Sequence, residues 1–488
     1  MNYVLDQLSP HNVFHYFEIL SSIPRGSGNE RACSGYILQF AAERGLRASR
    51  DAFNNVTIWK PASKGCEHAP TVLLENHMDM VCEKFPEVEH DFTKDGLNLL
   101  IDGDFIRADG TSLGADNGIG LAAALAILDD NTLIHPDLEV VCTVGEEIGL
   151  IGAQKIDTSG LKAKYMINSD SFRLHMVQAG CAGCVYSVAE LLPEWETASN
   201  SSGLMLTVGG LIGGHSGLDT CRQRTNANIL MGRILDELRS RGISYRIFNY
   251  LCENKDNSIA RDASCCISLS PSDTEKVTDA VQAFMLLVRK ELSITDPDVF
   301  CNVTALTAPG NVLSAACTNK MVDYLVLVPN GMFEKSFDFD DPDLAESSSN
   351  LGRIVFTHDR ISFRSMIRAN YESRKNEVRR KLTILARNLG MERHDEADSP
   401  GWEFNSDSKL LDILKESYRE IYHKEIAVAI SHGTCECGHF HAKMDCETLS
   451  IGPDIYNLHS PLEKVDIASV GGLYEIMIRM LEKLSRLT

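Results

Sequence analysis

Apolar runs that stop at a histidine or an acidic residue constrain this chain more than any other feature. "VLLENHMD" contains His77, "LEVVCTVGEE" ends at Glu146 and Glu147, "KYMINSD" ends at Asp170, and "LSIGPDIYNLH" leads to His459. Short runs rich in aliphatic and β-branched residues predict buried strands. Because ligands of open α/β sheets bind beyond the carboxyl ends of the strands, we expect these side chains to meet at one edge.

The order of the predicted elements indicates the fold class. Strand-like runs alternate with helical patterns up to about residue 186, which predicts an α/β fold. The run "IGLAAALAIL" (119–128) is too short to span a bilayer and is interpreted as a buried helix. We expect an acidic, serine-rich loop at 334–350, a linker rich in turn residues at 390–408 and an amphipathic helix at 408–424.

A chain of 488 residues is too long for one ordinary core, so several domains are expected. The pattern changes at about 187 to longer alternating segments with many polar residues. We therefore predict one domain made of 1–186 and 399–488, with 187–398 inserted into it as a second domain.

Charge and cysteine content restrict the partners and the compartment. Lys+Arg 47 against Asp+Glu 68 gives a net charge of −21, which argues against binding to nucleic acid. The first 20 residues lack the basic and apolar regions of a signal peptide, and no segment predicts a membrane span. Fifteen cysteines without such a signal indicate free thiols and a cytoplasmic location.

"GADNGIG" (114–120) adds Asp116 at the start of the predicted Ala/Leu helix. "DNG" is also a common turn signal, so by itself it is compatible with an ordinary turn. Together with the residues at the strand ends, however, Asp116 completes a set of two histidines and several carboxylates. Borderline divalent metals, zinc above all, prefer that mixture of ligands.

Two metal ions explain this set better than one. A carboxylate shared by two ions leaves each ion one histidine and one further carboxylate. Around Asp116 the set can be divided into His77 with Glu147 and His459 with Asp170. One glutamate then remains, and a carboxylate beside a metal-bound water is suited to act as a general base.

The motifs around these residues resemble the aminoacyl-histidine dipeptidase (peptidase D) family, within the co-catalytic zinc aminoacylase, carboxypeptidase and dipeptidase superfamily. The shared stretches run nearly end to end: "IPRGSGNE", "NHMDMV", "SLGADNGIG", "TVGEEIGLIGAQ", "IGGHSGLDTCRQRTNAN", "NSIARDA", "SSSNLG", "HGTCECG" and "IGPDIYNLHSPLE". The resemblance implies a catalytic domain with a mixed central sheet flanked by helices, and an inserted α+β lid domain.

The resemblance also implies roles for individual residues. The implied metal ligands, with Asp116 bridging two ions, are His77, Asp116, Glu147, Asp170 and His459. The implied catalytic residues are Glu146 as general base, Asp79 as the residue that orients His77, and His215 as the oxyanion donor from the lid. The implied substrate-binding residues are Arg364 and Asn257. Arg364 is equally compatible with a surface salt bridge.

The implied activity is hydrolysis of dipeptides, Xaa-His and other unblocked dipeptides, by a water bridging two divalent ions. Zinc is the expected metal, and cobalt or manganese can substitute for it. The alternatives are an N-acyl amino-acid deacylase with the same metals and a catalytically silent metal-binding relative. An intact Glu146 argues against the silent relative, since a structural metal site has no use for a free base.

Four departures from the family pattern concern substrate choice: Glu75, Gly145, Phe172 and Ala260. None of these positions is an implied metal ligand or the base. The insertion at 187–398 is about twice the length of a short lid, so it could form two similar halves. His215 would then act on the metals of its own chain. The resemblance leaves a homodimer open.

Overall fold

The computed structural model describes residues 3–198, 201–252, 254–307, 309–336 and 344–488. The chain divides into two compact units. Unit 1 comprises Met1–Cys181, Trp402–Ile430 and Cys435–Thr488. Unit 2 comprises Ala182–Gly401 and Ser431–Thr434. The assignment of catalysis to one unit and of a lid to the other stays a prediction.

The helices of the described residues run in this order: α1 (His11–Ser21), α2 (Arg31–Glu43), α3 (Ala115–Asp129), α4 (Ile151–Lys155), α5 (Ala227–Ser240), α6 (Thr274–Glu291), α7 (Ala315–Leu327), α8 (Glu372–Asn388), α9 (Lys409–Tyr422), α10 (Glu436–Lys443) and α11 (Ile467–Leu484).

The strands run in this order: β1 (Arg47–Arg50), β2 (Val56–Lys60), β3 (Val72–His77), β4 (Leu99–Asp102), β5 (Phe105–Ala108), β6 (Leu138–Thr143), β7 (Tyr165–Asn168), β8 (Met176–Cys181), β9 (Gly183–Leu191), β10 (Trp195–Thr197), β11 (Ser202–Gly209), β12 (Gly214–His215), β13 (Tyr245–Leu251), β14 (Ser258–Ile259), β15 (Ala263–Leu269), β16 (Phe300–Leu306), β17 (Asn311–Leu313), β18 (Gly331–Lys335), β19 (Ala345–Phe356), β20 (Ile361–Ala369), β21 (Glu392–Ser399), β22 (Ala427–Ser431), β23 (Glu447–Ser450), β24 (Ile455–Tyr456) and β25 (Lys464–Asp466).

Unit 1 is built on an eight-stranded mixed sheet with the order β1-β2-β6-β3-β7-β23-β8-β22. Its centre is a parallel block, because β6, β3, β7 and β23 pair with one another in parallel. The predicted strands in "VLLENH", "LEVVCT" and "YMIN" are β3, β6 and β7. All residues of β3 and β6 are buried, as expected for parallel strands that are covered on both faces.

The helices of unit 1 cover this sheet and form its main apolar core. α3 is the predicted Ala/Leu helix, and all of its residues from Ala115 to Leu128 are buried. α9 is the predicted amphipathic helix. The Ser408 hydroxyl caps its first turn by accepting the Leu411 N–H, and its buried face packs against α11. A smaller antiparallel sheet, β24-β25-β5-β4, completes the unit.

Unit 2 consists of two halves with the same topology. The first half has the order β11-α5-β13-β15-α6-β16 along the chain and β13-β15-β11-β16 in its sheet. The second half has the order β9-α7-β19-β20-α8-β21 and the sheet β19-β20-β9-β21, with β18 added at its edge. The first half lies between β9 and α7 in the chain. The prediction of two similar halves is therefore confirmed in strand order, and one apolar core serves both.

Two predictions about loops are wrong. The predicted linker at 390–408 contains β21, which pairs with β9 along Glu392–Ser399. The strand was missed because most of its side chains are exposed, so it lacks an apolar run. The predicted loop at 334–350 contains the end of β18 and the start of β19, while its part at 337–343 lies outside the described residues.

The mixed α/β architecture predicted for the chain is confirmed. None of the 15 cysteines forms a disulfide bond, as predicted. In the residues that the structure describes, no helix has both the length and the apolarity that a bilayer crossing requires.

Candidate metal centre

The register of two parallel strands brings His77 and Asp170 together. Glu75 of β3 lies opposite Asn168 of β7, so the residues two places further on, His77 and Asp170, meet at the carboxyl edge of the sheet. The His77 Nε2 atom lies 3.3 Å from Asp170 Oδ1. Both side chains are buried, which is the environment that a rigid ligand pair requires.

Asp116 links this pair to a second one. Its backbone is non-helical within the first turn of α3, with φ −77° and ψ 113°. One carboxylate oxygen, Oδ1, lies 3.0 Å from His77 Nε2, and the other, Oδ2, lies 3.4 Å from His459 Nε2. The same His459 nitrogen is 3.1 Å from Glu147 Oε2. Asp116 thus contacts both histidines through different oxygens, as a ligand shared by two ions would.

The donor set fits a divalent cation. The ligand atoms of His77, Asp116 and Glu147 all lie within 4.8 Å of one another. Glu147 Oε1 is buried and accepts no hydrogen bond, while the buried Asp170 Oδ1 contacts His77 Nε2 at 3.3 Å. Buried carboxylate oxygens are almost always satisfied, so an unsatisfied one within a cluster of carboxylates and imidazoles is best explained by a cation.

The nearest side-chain contacts differ from the predicted division of the ligands into His77 with Glu147 and His459 with Asp170. The structure pairs His77 with Asp170 and His459 with Glu147. The reason is the strand register, which aligns His77 with Asp170. Glu147 instead follows β6 by four residues, after a turn, and so reaches the other side of Asp116.

Asp79 orients both His77 and the segment that carries the two glutamates. Its Oδ1 lies 3.5 Å from His77 Nδ1, on the side of the ring away from Asp116. It also accepts the backbone N–H groups of Glu146 at 3.1 Å and Glu147 at 3.3 Å. Burial alone would raise the pKa of Asp79, but the hydrogen bonds from His77, Ser27 and Glu146 lower it.

Glu146 lies in the same cluster and is half-buried. Burial raises the pKa of its carboxyl to about 8, and the nearby carboxylates of Glu147 and Asp116 contribute to the rise. A raised carboxyl pKa next to a cluster of metal-ligand type is typical of a group that exchanges protons during a reaction.

Sequence reasoning missed two buried residues that hold the Asp116 loop. Glu463 accepts the backbone N–H groups of Leu113 at 2.8 Å and of Gly114 and Ala115 at 2.9 Å. Arg25 is fully buried and donates to the carbonyl oxygens of Met78 at 2.9 Å and Asp79 at 3.1 Å, and to that of Gly114.

Arg25 therefore joins the end of β3 to the loop before α3, and Glu463 closes that loop. Both residues belong to the quoted motifs "IPRGSGNE" and "SPLE". Their membership of these motifs was the signal that could have identified them. A hydrogen bond between a backbone N–H and a carboxylate 350 positions away leaves no pattern in a single sequence.

Glu75, the first of the four departures, belongs to a buried polar network under the cluster. Its carboxyl accepts the Asn168 amide at 2.6 Å and contacts Glu436, which accepts the Thr143 hydroxyl at 2.7 Å. Burial raises the pKa of both glutamates. Glu436, at the start of α10, was not foreseen.

The other departures have local structural explanations. Gly145 has φ +61°, a conformation that glycine adopts without strain. Phe172 packs against the core of unit 1. Ala260 is fully buried, and its carbonyl accepts the Ala227 N–H at 2.8 Å.

In unit 2, His215 lies on β12 and pairs with Ser258 of β14. Its Nδ1 accepts the N–H groups of Gly217 and Leu218, both at 3.2 Å, so its proton is on Nε2. Burial and the nearby Arg368 lower the pKa of His215. Asn257 precedes β14, and its carbonyl accepts the Ser216 N–H at 2.9 Å.

Arg364 is bound to two carboxylates of unit 2, Asp256 and Glu396, each at 2.7 Å. The salt-bridge alternative therefore describes its contacts, and a substrate-binding role for it stays an untested prediction. Arg368 was missed. Arg368 is buried, and its guanidinium lies close to the His215 ring on either side of Gly217. A Cβ atom built at Gly217 would lie 3.3 Å from Arg368 Cζ and 3.1 Å from His215 Cε1.

The comparisons with known proteins bear on this arrangement. Residues 73–483 match the model of peptidase family M20/M25/M40. The chain belongs to this family. The predicted enzyme class, a metallopeptidase, and the resemblance to the dipeptidases are thereby confirmed.

Two relatives match over almost their whole length. The cytosol non-specific dipeptidase of Escherichia coli K12 is 32% identical over 486 residues, which are 98% of this chain and 99% of that protein. Aminoacylhistidine dipeptidase from Vibrio alginolyticus superposes with a TM-score of 0.90 at 31% identity, covering 99% of this chain and 98% of that one. The aminopeptidase PepT from Bacillus cereus, at 14% identity, TM-score 0.57 and coverage of 98% and 100%, shows the fold alone.

Proposed function

We propose that this chain is a metal-dependent dipeptidase that hydrolyses unblocked dipeptides, Xaa-His among them, with Glu146 as general base. The observation that carries the proposal is the position of Asp116, whose two oxygens contact His77 and His459 separately. The names of the two full-length relatives, a dipeptidase and an aminoacylhistidine dipeptidase, support the substrate class.

Two divalent ions, zinc above all, would be held by this cluster. The nearest contacts support a first site of His77, Asp170 and Asp116 and a second of His459, Glu147 and Asp116. When bound, the ions would supply a water of lowered pKa and an electrophile for the peptide carbonyl.

The chain's own residues would then move the proton. Glu146 would take it from the attacking water and pass it to the leaving amine, since it lies beside the ligand cluster with a raised pKa. Asp79 would hold the His77 ring so that Nε2, and not Nδ1, points at the ligand position.

Unit 2 would supply groups that bind the substrate and stabilise charge. His215 carries its proton on Nε2, as a donor to an oxyanion must. For the substrate carboxylate we propose Arg364 and, as a second candidate, Arg368, whose guanidinium lies near His215 beside Gly217. Asn257 keeps its proposed role in substrate binding.

A panel of dipeptides tests the proposal. Protein reconstituted with zinc should hydrolyse β-alanyl-histidine and other dipeptides with a free amine, and should fail on their N-acetylated forms. Preference for the N-acetylated forms would replace the dipeptidase by the deacylase alternative. No hydrolysis of either set by protein with two bound ions would support the silent relative.

We further propose that the protein acts in the cytoplasm on small peptides. The acidic composition, the free cysteines and the cytosolic E. coli relative support the location. Sedimentation equilibrium of the purified chain distinguishes a monomer from the homodimer that the resemblance leaves open.

A further inference from the structure

The turn at 144–147, which follows β6 and carries the proposed general base, is held by side chains from outside it. Each of its four consecutive backbone N–H groups donates to such a side chain. Asn55 accepts the first at 3.1 Å, Glu30 accepts the second at 3.0 Å, and Asp79 accepts the last two. Because a buried N–H group without a partner is unfavourable, these three acceptors determine the course of the turn.

The position of the Glu30 side chain is not explained by its own helix. Glu30 immediately precedes α2, yet its side chain makes no capping hydrogen bond to that helix. It is only 6% exposed, and burial of a carboxylate is unfavourable unless hydrogen bonds compensate for it. Its Oε1 atom accepts the N–H of Gly28 and that of Gly145, which lies 115 positions further along the chain. The carboxylate therefore connects the loop before α2 to the turn after β6.

The accepting oxygen is itself fixed by its own loop. Gly28 donates to it at 2.9 Å and has φ +86°, a conformation that glycine adopts without strain. The same loop contains Ser27, whose hydroxyl donates to Asp79 Oδ2 at 2.7 Å. The loop thus supports two of the three acceptors of the turn, one directly and one through Asp79. An acceptor that is held in this way can fix the position of the group that donates to it.

The Glu30 contact lies directly before the proposed base. Gly145, which donates to Glu30, is followed in the chain by Glu146. The next residue, Glu147, would also be held by a bound ion, whereas a general base has no ion to hold it. The place of the Glu146 carboxylate therefore depends on the backbone of the turn. A displacement of about 1 Å of a catalytic group can lower the rate about 100-fold.

We propose that Glu30 is a positioning residue of the candidate metal centre: by accepting the Gly145 N–H, its carboxylate fixes the turn that carries Glu146. The part of this proposal that concerns catalysis rests on the proposed function, in which Glu146 is the general base.

Three substitutions of Glu30 separate the hydrogen bond from the charge. Glu30→Met has a side chain of similar length but no acceptor, and Glu30→Asp keeps the charge but is shorter by one methylene group. Both should lower kcat about 10–100-fold at saturating zinc, with little change in KM or in bound metal. Glu30→Gln keeps a carbonyl oxygen that can accept the Gly145 N–H, so its kcat should stay close to that of the unmodified protein.

Hydrogen exchange of the backbone amides, measured by mass spectrometry with and without zinc, reports the contact independently of activity. A peptide that covers 144–147 should exchange about fivefold faster or more in Glu30→Met and in Glu30→Asp, because the hydrogen bond to Gly145 is lost. In Glu30→Gln its exchange should match that of the unmodified protein. If Glu30→Met does not fold, Glu30→Asp provides the same comparison.

Glu139 provides a matched control within unit 1. It is 3% exposed and also accepts backbone N–H groups, those of Lys162 at 3.0 Å and Ala163 at 3.1 Å. It belongs to the opposite end of β6 from the turn. Glu139→Met should accelerate exchange at 162–163, leave exchange at 144–147 unchanged, and leave kcat unchanged.

Unchanged exchange at 144–147 in Glu30→Met and Glu30→Asp would overturn the proposal, as would faster exchange with an unchanged kcat. Glu30→Gln as impaired as Glu30→Met would show that the charge matters and not the hydrogen bond, which also overturns it. An equal loss of kcat in Glu139→Met would show a general effect of lost stability and have the same consequence. If the unmodified protein hydrolyses no dipeptide, the proposed function fails, and hydrogen exchange alone decides whether Glu30 fixes the turn.

Discussion

The adjacent glutamates 146 and 147 have different surroundings although they have the same chemistry. The Glu147 carboxylate contacts His459 at 3.1 Å and keeps one buried oxygen without a partner. Glu146 has a pKa raised to about 8 by burial. One residue is therefore suited to hold a cation and the other to carry a proton.

Substitution of each glutamate should separate these roles. Glu146→Gln should lower kcat by about 10²–10⁴, the usual contribution of a general base, while two ions remain bound. Glu147→Gln should lower metal content and activity together. Elemental analysis with steady-state kinetics measures both, and equal metal loss in the two variants would contradict the assignment.

Glu463 should matter although it contacts no proposed substrate. Glu463→Gln replaces one acceptor oxygen by an NH2 group that faces backbone N–H groups of residues 113–115. Leaving buried donors unpaired costs about 1–3 kcal/mol, so the free energy of unfolding should fall by that amount.

The metal affinity of the Glu463→Gln variant should fall together with its stability, because the loop that Glu463 holds carries Asp116. Chemical denaturation and metal titration measure the two effects. The surface variant Glu482→Gln, which loses only contacts with Arg479 and Arg486, is the control and should change neither. Full metal affinity in Glu463→Gln would show that the loop holds its shape without this carboxylate.

At the scale of elements, apolar periodicity predicted α9 correctly, because its apolar side chains repeat every three to four residues on the face against α11. β21 was missed for the opposite reason. An exposed edge strand needs no apolar alternation, so its hydrogen bonds to β9 leave no sequence pattern.

Leu414→Ala should test the packing of α9. Leu414 is fully buried in the core of unit 1, and truncation of such a side chain costs about 2–5 kcal/mol of stability. Urea denaturation should show that loss. Glu416→Ala on the exposed face of the same helix should cost less than about 1 kcal/mol, and a loss of equal size would contradict the assigned buried face.

For the whole molecule, the candidate metal cluster belongs entirely to unit 1. Removal of bound ions should abolish activity, and zinc, cobalt or manganese should restore it. Bound metal should stabilise unit 1 by about 4 kcal/mol at a free concentration 1,000-fold above Kd.

In scanning calorimetry, chelation should therefore lower the melting temperature of unit 1 and leave that of unit 2 unchanged. Activity that survives complete chelation would exclude the metal mechanism. An equal shift of both transitions would show that the units unfold together.

Whether His215 acts on the metals of its own chain or on those of a second chain is also a question about the whole molecule. His215→Ala should lower kcat by about 10²–10³, as expected for one lost oxyanion donor, without loss of metal. We expect His215 to act on the metals of its own chain, because unit 2 has two halves of its own.

If the protein is dimeric, a mixed dimer of Glu146→Gln and His215→Ala chains, purified by two tags, should then stay inactive. Recovered activity would show that one chain's histidine serves the other chain's metals.

The sequence by itself determined which strands form the centre of unit 1 and which residues stand at their ends. Those signals are local: an aliphatic run buries its strand, and a histidine or carboxylate directly after it must lie at the sheet edge. It also indicated Asp116 at the first turn of the Ala/Leu helix, because the glycines around it mark that turn.

Only the tertiary structure decided how these residues combine. Strand register pairs His77 with Asp170 and leaves Glu147 to His459. Arg25, Glu436 and Glu463 support the cluster through hydrogen bonds between residues that lie far apart in the chain. The topology of unit 2 likewise depends on pairings between strands that are distant in the chain. Such contacts depend on where the fold brings each segment, and that information is absent from any short stretch of the chain.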